Sequence, residues 1–370
     1  MDTPVVKGSG IVYRNPKAFL RSVHAYFPSV VEVGPGQLLA AVVLGEAFES
    51  VDSRVVLVRS EDNGATWREQ GRLRALRPGW SESCRLSRLS DGQIIALFPE
   101  YDRKDPEMGY TNPANMGFVP TRFLLYRSGD GGKTWTGGEA IAPPIEGPEF
   151  ELCCPIAELS DGRLMLPTST WRGWDGRCPN GMKAVALVSD DKGKSWPRYV
   201  DVMDGTSEQV IYWESKIVEM ADGRLVAMAW TYDEGKGVDR NNSCAVSTDG
   251  GRSFGRPQLT DLQGQTPALL YLGGNRVFCA YRRMDKPGLW GATGEIGADG
   301  RWRTVRQDCL WNPLAGGVGG KQAETMVEAF HALKLGAPHF VELSNGEVLL
   351  TFWCVEDCVS NIRWVRLGQA

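Results

Sequence analysis

A short pattern, S-x-D-x-G-x-[ST]-[WF], occurs four times in this 370-residue chain and constrains its fold more than any other feature. The copies span residues 60–67, 128–135, 189–196 and 247–254, so they recur every 58 to 68 residues. Such regular self-similarity is typical of proteins built from repeated supersecondary units. In each copy the serine and the aspartate can accept hydrogen bonds from their own turn, and the glycine permits the positive φ of a tight reversal. The pattern therefore predicts hairpin turns, with a structural rather than a catalytic role for its aspartates.

A second repeat counts the units of the fold. Six segments each combine an alternating apolar strand, a tight turn and a second strand: 30–39, 86–95, 156–165, 217–226, 269–278 and 340–349. Four of the six turns contain Asp-Gly or Asn-Gly, which suit two-residue hairpin loops. Each segment is interpreted as the inner two strands of a four-stranded blade, so the chain is predicted to be an all-β, six-bladed β-propeller.

The same count predicts how the chain is organised. Blades are expected to begin near residues 26, 83, 153, 214, 266 and 337, within one domain over residues 1–370, because no linker or change in composition divides the repeats. The sixth unit is followed by one more strand only. We therefore expect the N-terminal run 10–13 to supply the fourth strand of the last blade and close the ring.

The repeated pattern resembles the Asp box, or bacterial neuraminidase repeat, of the sialidase superfamily. Members of that superfamily are six-bladed propellers and mostly exo-acting glycoside hydrolases. The resemblance implies that Glu214, in Trp213-Glu214-Ser215, takes the place of the glutamate that polarises the nucleophilic tyrosine. It also implies that Asp52 is the loop aspartate that acts as general acid and base. Glu46 or Glu49 could take that place instead, since the register of this loop differs slightly from the family pattern.

The chain departs from sialidases at several positions that carry their chemistry. Tyr26 stands where the first of three substrate-binding arginines is expected, and Trp230 where the second is expected. The stretch 288–294, which would hold the third, contains no arginine. Ala337 occupies the register of the nucleophilic tyrosine. The resemblance is thus strong for the scaffold and partial for the chemistry, and fold alone does not determine function.

Other polar residues are predicted to face the central funnel. Arg282 and Arg283 end the second strand of blade five and are placed to bind an anionic ligand. His24 and His339 begin blades one and six, which are neighbours in a closed ring. With Tyr26, they would suit acid and base work, although each histidine could equally be a hydrogen-bonded packing residue. The predicted catalytic residues are Asp52, Glu214, Tyr26 and His339, and the predicted substrate-binding residues are His24, Arg85, Trp230, Arg282 and Arg283.

Composition and charge exclude some classes of binding partner. The net charge is −4 with both signs spread along the chain, which argues against nucleic acid and against a polybasic membrane contact. No apolar run approaches the ~20 residues of a membrane span, and the first ten residues lack the layout of a secretory signal, so we expect a cytoplasmic protein. Nine cysteines, an odd number, indicate reduced thiols rather than a disulfide framework. Neither a cofactor nor a metal is expected.

Three functions are compatible with these residues. The leading hypothesis is an exo-acting glycoside hydrolase on a terminal, acidic sugar, with Asp52 as acid and base, Glu214 as charge stabiliser or base, and Arg282 as anion contact. Retaining and inverting chemistry are both open. A uronate lyase would use Tyr26 or His339 as its base. A non-catalytic propeller would bind a glycan or a protein without turnover.

Overall fold

In a computed structural model of this protein, residues 3–16, 20–147, 149–312, 334–356 and 358–368 are described. These residues form 27 strands and one short 3₁₀ turn, Thr206–Glu208. The strands are β1 (Val5–Tyr13), β2 (His24–Gly34), β3 (Gln37–Gly45), β4 (Arg54–Ser60), β5 (Arg68–Gly71), β6 (Trp80–Glu82), β7 (Arg85–Arg88), β8 (Ile94–Asp102), β9 (Thr121–Ser128), β10 (Thr136–Ala140), β11 (Glu149–Glu151), β12 (Ala157–Glu158), β13 (Leu164–Trp171), β14 (Ala184–Ser189), β15 (Arg198–Met203), β16 (Val210–Glu219), β17 (Leu225–Asp233), β18 (Val238–Asp239), β19 (Ser243–Ser247), β20 (Gln258–Leu259), β21 (Gly264–Gly273), β22 (Arg276–Arg283), β23 (Leu289–Ile296), β24 (Trp302–Trp311), β25 (Leu335–Glu342), β26 (Val348–Glu356) and β27 (Val359–Gly368).

The strands form six antiparallel sheets, and these are the blades of a six-bladed β-propeller. The first blade has the order β2-β3-β4-β5, and the fifth repeats it as β21-β22-β23-β24. In the second and third blades the inner strand is split in two, as β6 and β7 and as β11 and β12. The predicted fold class is therefore confirmed. No helix among the described residues is long and apolar enough to cross a bilayer.

The last sheet joins the two ends of the chain. Its order is β1-β27-β26-β25, and β1 pairs with β27 from Val5 opposite Gly368 to Tyr13 opposite Ile362. The close approach of Gly10 to the Trp364 ring belongs to this pairing, because a Cβ on Gly10 would lie 2.6 Å from ring atoms of that tryptophan. The N-terminal strand thus completes the blade that the C-terminal strands begin.

The four repeated turns join the third strand of a blade to the segment that leads to its fourth. In the second turn, Asp130 Oδ1 accepts hydrogen bonds from the Ser128 hydroxyl at 2.8 Å and from the Thr134 N–H at 2.9 Å. The Gly132 N–H donates to the Ser128 hydroxyl at 2.8 Å. The same bonds recur around Asp62, Asp191 and Asp249. The Ser195 hydroxyl also donates to Asp191, and this bond, followed by those from the Ser195 N–H and the Ser189 hydroxyl, lowers the pKa of Asp191 to about 2. These bonds explain why the same residue types repeat.

The hydrophobic core lies between neighbouring blades. Blades two and three meet through a layer that includes Leu97, Leu166 and Trp196. Blades six and one meet through Val42, Leu349 and Trp353 among others. Because each blade packs on both neighbours, the inner ends of the six sheets are held at fixed positions around a shared opening.

Candidate active site

One cavity opens where the six blades meet. Its empty volume is about 1030 Å³ including the open mouth. The β8–β9 loop adds Tyr110, Met116 and Phe118 to its wall. Each blade contributes at least one residue from its innermost segment, and these residues include Phe27, Ser83, Cys153, Glu214, Thr266 and Ala337.

Four of these residues have an unusual backbone conformation in common. Phe27, Glu214, Thr266 and Ala337 have φ of 49°, 49°, 48° and 48°, in the left-handed region that non-glycine residues rarely adopt. At each of them the pairing of the inner strand with its neighbour shifts, which is the signature of a β-bulge. The bulge lifts one residue out of the regular alternation. It thereby presents that residue at the cavity.

Two carboxyl groups face each other in the cavity wall. The end of β11 supplies Glu151, and the bulge in β16 supplies Glu214. Glu151 Oε2 accepts the Glu214 N–H at 3.2 Å. Glu151 Oε1 and Glu214 Oε2 are buried without a hydrogen-bond partner in the described part of the chain. Since Glu151 is only 6% exposed, its free oxygen is poorly hydrated, and a bound ligand would satisfy it.

The surroundings of Glu151 favour the protonated form of its carboxyl group. Burial, followed by the charge of Glu214, raises the pKa of Glu151, and these effects outweigh the opposing influence of Lys216. Lys216 lies directly beneath, with its Nζ donating to the Glu214 carbonyl oxygen at 3.3 Å. Burial also raises the pKa of the Cys153 thiol well above its usual range. In the described chain, potential metal ligands cluster only here, where one atom each from Glu151, Cys153 and Glu214 lies within 4.8 Å of the others.

Two arginines reach the cavity from blades two and five. Arg85 is fixed by hydrogen bonds from Nη1 to the Cys84 carbonyl at 2.8 Å and from Nε to the Cys153 carbonyl at 3.1 Å. Arg282 donates from Nη1 to the Leu335 carbonyl at 2.7 Å and from Nη2 to Gln265 Oε1 at 2.6 Å. Burial lowers the pKa of Arg282 to about 10, so its guanidinium remains charged at neutral pH.

Aromatic rings form much of the remaining wall. Trp171 and Trp213 stack with ring centroids 4.8 Å apart, and Trp230 continues the row at 4.1 Å from Trp213. On the opposite side, Phe48 lies 5.3 Å from Phe27. Apolar sugar faces stack well on such rings, while the carboxyl and guanidinium groups supply the polar contacts.

Comparison with known proteins agrees with this architecture. A family model described as a BNR repeat-like domain matches residues 108–284, just under half of the chain. A protein of unknown function from Dyadobacter fermentans shares 24% identity over the whole of both chains, with a TM-score of 0.77. No curated protein sequence matches the chain.

Enzymes also appear among the similar structures. A Trypanosoma rangeli sialidase is 15% identical with a TM-score of 0.64, over 98% of this chain and 60% of the sialidase. An α-L-arabinanase from Penicillium chrysogenum, in complex with arabinobiose, is 15% identical with a TM-score of 0.66, over 98% of both chains. The chain shares the six-bladed propeller fold of these enzymes. At these identities the likeness establishes the fold, and it leaves the chemistry to the residues of the cavity.

In this propeller, four of the predicted site residues line the cavity: Arg85, Glu214, Trp230 and Arg282. The other five lie outside it. Arg283 turns away from the cavity and pairs with Asp285, with Nε 2.5 Å from Oδ1. His339 Nε2 lies 2.8 Å from the Val30 carbonyl oxygen, and burial lowers its pKa to about 4. The imidazole therefore serves as a neutral packing residue.

Tyr26 and His24 are also predicted to belong to the site, but neither lines the cavity. Tyr26 is 5% exposed and packs among His24, Phe48 and Trp353, with ring centroids 5.1 to 5.8 Å away. The reason is the β-bulge, which puts Phe27 rather than Tyr26 at the cavity. His24 is held at the blade edge between the Ser22 hydroxyl and the Ser360 N–H, at 2.8 and 3.0 Å.

Asp52 does not line the cavity either. Its carboxylate accepts the Glu46 N–H at 3.0 Å and pairs with Arg54 at 3.0 Å, so it caps its own loop. Glu49 of the same loop lines the cavity instead and accepts the Thr111 hydroxyl at 2.8 Å. The sequence alternative, in which a nearby glutamate replaces Asp52, fits this placement.

Sequence reasoning missed Glu151, Asp239 and Gln265. A signal for Glu151 was present, because it stands two residues before Cys153, which opens the third inner strand. Gln265 immediately precedes the bulge residue Thr266 in the same way. Asp239 carried no signal, since β18 is an irregular insertion of two residues that pairs with β17.

Proposed function

We propose that this protein is an exo-acting glycoside hydrolase that releases a terminal acidic sugar by a retaining mechanism. The observation that carries the proposal is the facing pair Glu151 and Glu214, whose carboxylate oxygens approach within 4.8 Å. Retaining glycosidases hold their two carboxyl groups about 5–5.5 Å apart, whereas inverting enzymes separate them by about 6.5–9.5 Å. Glycoside hydrolases among the similar structures support the same reaction class.

The two carboxyl groups take different roles in this mechanism. Burial raises the pKa of Glu151 to about 7, so protonated Glu151 is present near neutral pH and donates its proton to the glycosidic oxygen as that bond breaks. Glu214 attacks the anomeric carbon and forms a glycosyl ester, and the leaving group departs as an alcohol. Glu151, now a carboxylate, accepts a proton from water, which attacks the ester and restores Glu214. The sugar leaves with its original anomeric configuration.

The cavity walls favour an exo-acting enzyme and a charged substrate. The cavity is bounded by the inner strands and rimmed by the β8–β9 loop, so a chain end enters it more readily than the middle of a polymer. Arg85 and Arg282 supply positive charge near the carboxyl pair, which suits a sugar carboxylate. The lyase alternative is weakened, because its predicted bases, Tyr26 and His339, lie outside the cavity.

The proposal is tested with Glu151→Gln, Glu214→Gln and Asp52→Asn, screened on sialosides, uronides, rhamnosides and arabinosides. We expect Glu214→Gln to abolish release of reducing ends. Glu151→Gln should lower it by ~10²–10⁴ on natural linkages and much less on aryl glycosides, whose leaving group needs little protonation. Asp52→Asn, which alters a carboxylate outside the cavity, should behave as wild type.

The products separate the alternatives. Nuclear magnetic resonance of the first-formed sugar should show retained configuration, and an inverted product would contradict the assignment of Glu214 as nucleophile. Ultraviolet absorbance from an unsaturated sugar would instead indicate a lyase. Binding without turnover on every substrate class would indicate a non-catalytic propeller.

A further inference from the structure

A chain of hydrogen bonds behind the cavity wall connects blades four and five. Trp230 Nε1 donates to Asp239 Oδ1 at 2.6 Å, and Gln265 Nε2 donates to Asp239 Oδ2 at 2.7 Å. Gln265 Oε1 then accepts Arg282 Nε at 3.0 Å and Nη2 at 2.6 Å. Trp230 and Arg282 line the cavity, whereas Asp239 and Gln265 do not.

The carboxylate determines the direction of every bond in this chain. Because Asp239 offers acceptors only, both of its partners must point a donor at it. The Gln265 amide is therefore oriented with its nitrogen toward Asp239 and its oxygen toward Arg282. The Arg282 guanidinium lies over the Trp230 ring at 5.8 Å, so the same network sets the two adjacent wall groups.

The network holds Arg282 without an ion pair. Among the described residues, its hydrogen-bond partners are the neutral Gln265 amide and the Leu335 carbonyl, and it forms no ion pair with a described carboxylate. Nη1 and Nη2 each carry a second N–H beyond the one used here. A desolvated guanidinium with remaining donors at a cavity wall is a binding group for an anion.

Resting on the proposed function, we propose that Asp239 is a positioning residue that acts through Gln265. It fixes Arg282 in place while one neutral residue separates its own negative charge from the guanidinium. The positive charge of Arg282 then remains available to the carboxylate of an acidic sugar. Asp239 thereby sets the preference of the cavity for a charged sugar over an uncharged one.

The test exchanges the carboxylate of residue 239 and the amide of residue 265, first singly and then together. In Asp239→Asn, the new side-chain NH₂ faces the N–H donor of Trp230 or of Gln265. If the Gln265 amide turns over to avoid this clash, its own NH₂ faces the donors of Arg282. In Gln265→Glu, two carboxylates face each other. The double variant restores a donor and an acceptor at every contact and keeps the net charge, but it pairs Arg282 directly with a carboxylate. Asp285→Asn, which removes a blade-five carboxylate outside the cavity, is the matched control.

Binding is measured by calorimetry with N-acetylneuraminate and D-glucuronate, each against its own methyl ester. Wild type and Asp285→Asn should bind an acid at least about tenfold more tightly than its ester. Each single variant should lower the melting temperature and lose this preference while its affinity for the ester is unchanged. The double variant should recover the melting temperature without recovering the preference. The indole N–H resonance of Trp230, assigned with Trp230→Phe, should move in Asp239→Asn and return in the double variant.

Several outcomes would overturn the inference. If the wild-type protein binds acid and ester equally, or binds neither, then the ligand of the cavity is not an acidic sugar. An Asp239→Asn variant that keeps the preference removes the positioning role. A double variant that recovers preference together with stability shows that the ligand does not use the charge of Arg282. These measurements need no turnover, so their failure is separate from a failure of hydrolysis.

Discussion

At the scale of single residues, the glutamates of blades two, three and four differ in how their charge is balanced. Glu82 and Glu100 are compensated by Arg74, which bridges them. Glu151 and Glu214 face each other with unsatisfied oxygens, as expected of groups that wait for a substrate. Glu149 belongs to neither class, because its partners are the neutral N–H and hydroxyl of Thr121.

Glu149 should therefore make stability depend on pH. Burial raises its pKa to about 7, so the folded state holds this proton more tightly than the unfolded chain does. Stability then falls as the pH rises from the ordinary glutamate range through about 7. In Glu149→Gln, one amide oxygen can still accept both Thr121 donors, since they bind the same carboxylate oxygen. We expect a higher melting temperature than wild type at pH 8 and little difference at pH 5.

Calorimetric scans across this range test the prediction. Glu139→Gln, at an exposed site on β10, is the control and should follow wild type at every pH. Identical melting temperatures of Glu149→Gln and wild type at pH 8 would show that the Glu149 carboxylate is hydrated in the folded protein.

At the scale of strands, the hairpins could be predicted and the residues at their inner ends only in part. Asp-Gly and Asn-Gly turns locate the paired strands, because few other dipeptides allow such tight reversals. Counting outward from those turns placed Glu214, Thr266 and Ala337 at the cavity. In blade one the same count brings both Tyr26 and Phe27 to the funnel, and Tyr26 is the one predicted to be catalytic, whereas Phe27 lines the cavity. A β-bulge inserts one extra residue into a strand, and the alternating apolar pattern of the sequence does not reveal it. An error of one residue in the count then assigns a side chain to the opposite face of the sheet.

The bulges also predict an unusual tolerance of glycine. Ala337 has φ of 48°, which costs an L-residue about 1–2 kcal/mol. Glycine relieves that strain, and the gain offsets the extra entropy of the unfolded chain. We expect Ala337→Gly to leave the free energy of unfolding unchanged or slightly raised in urea titrations. Ala41→Gly, at a buried and regular position of β3, should lose about 1 kcal/mol or more. Equal losses at both positions would argue against strain at the bulge.

At the scale of the whole molecule, the sequence repeats predict the number of blades but do not predict which residues form the site. Six similar units predict six blades, because every unit must bury its faces against two neighbours. The cavity instead combines single residues from different blades, such as Glu151, Glu214 and Arg282, that no repeat marks. The roles of the loop carboxylates could not be predicted from the sequence either. Asp52 accepts the Glu46 N–H of its own loop, whereas Glu49 accepts the Thr111 hydroxyl of another loop.

Closure of the ring depends on a close contact that the sequence does not reveal. A Cβ on Gly10 would lie 2.6 Å from Trp364, whereas a Cβ on Gly8, on the same strand, would lie 3.9 Å from that ring. Gly10→Ala should therefore push β1 away from β27 and cost about 1–3 kcal/mol of unfolding free energy. Gly8→Ala should cost far less, although both changes add one methyl group to one strand. Hydrogen exchange should show faster opening of the β27 amides in Gly10→Ala alone, because an unpaired β27 is an open sheet edge. Equal protection in the two variants would mean that the other blade contacts hold the ring closed without this strand.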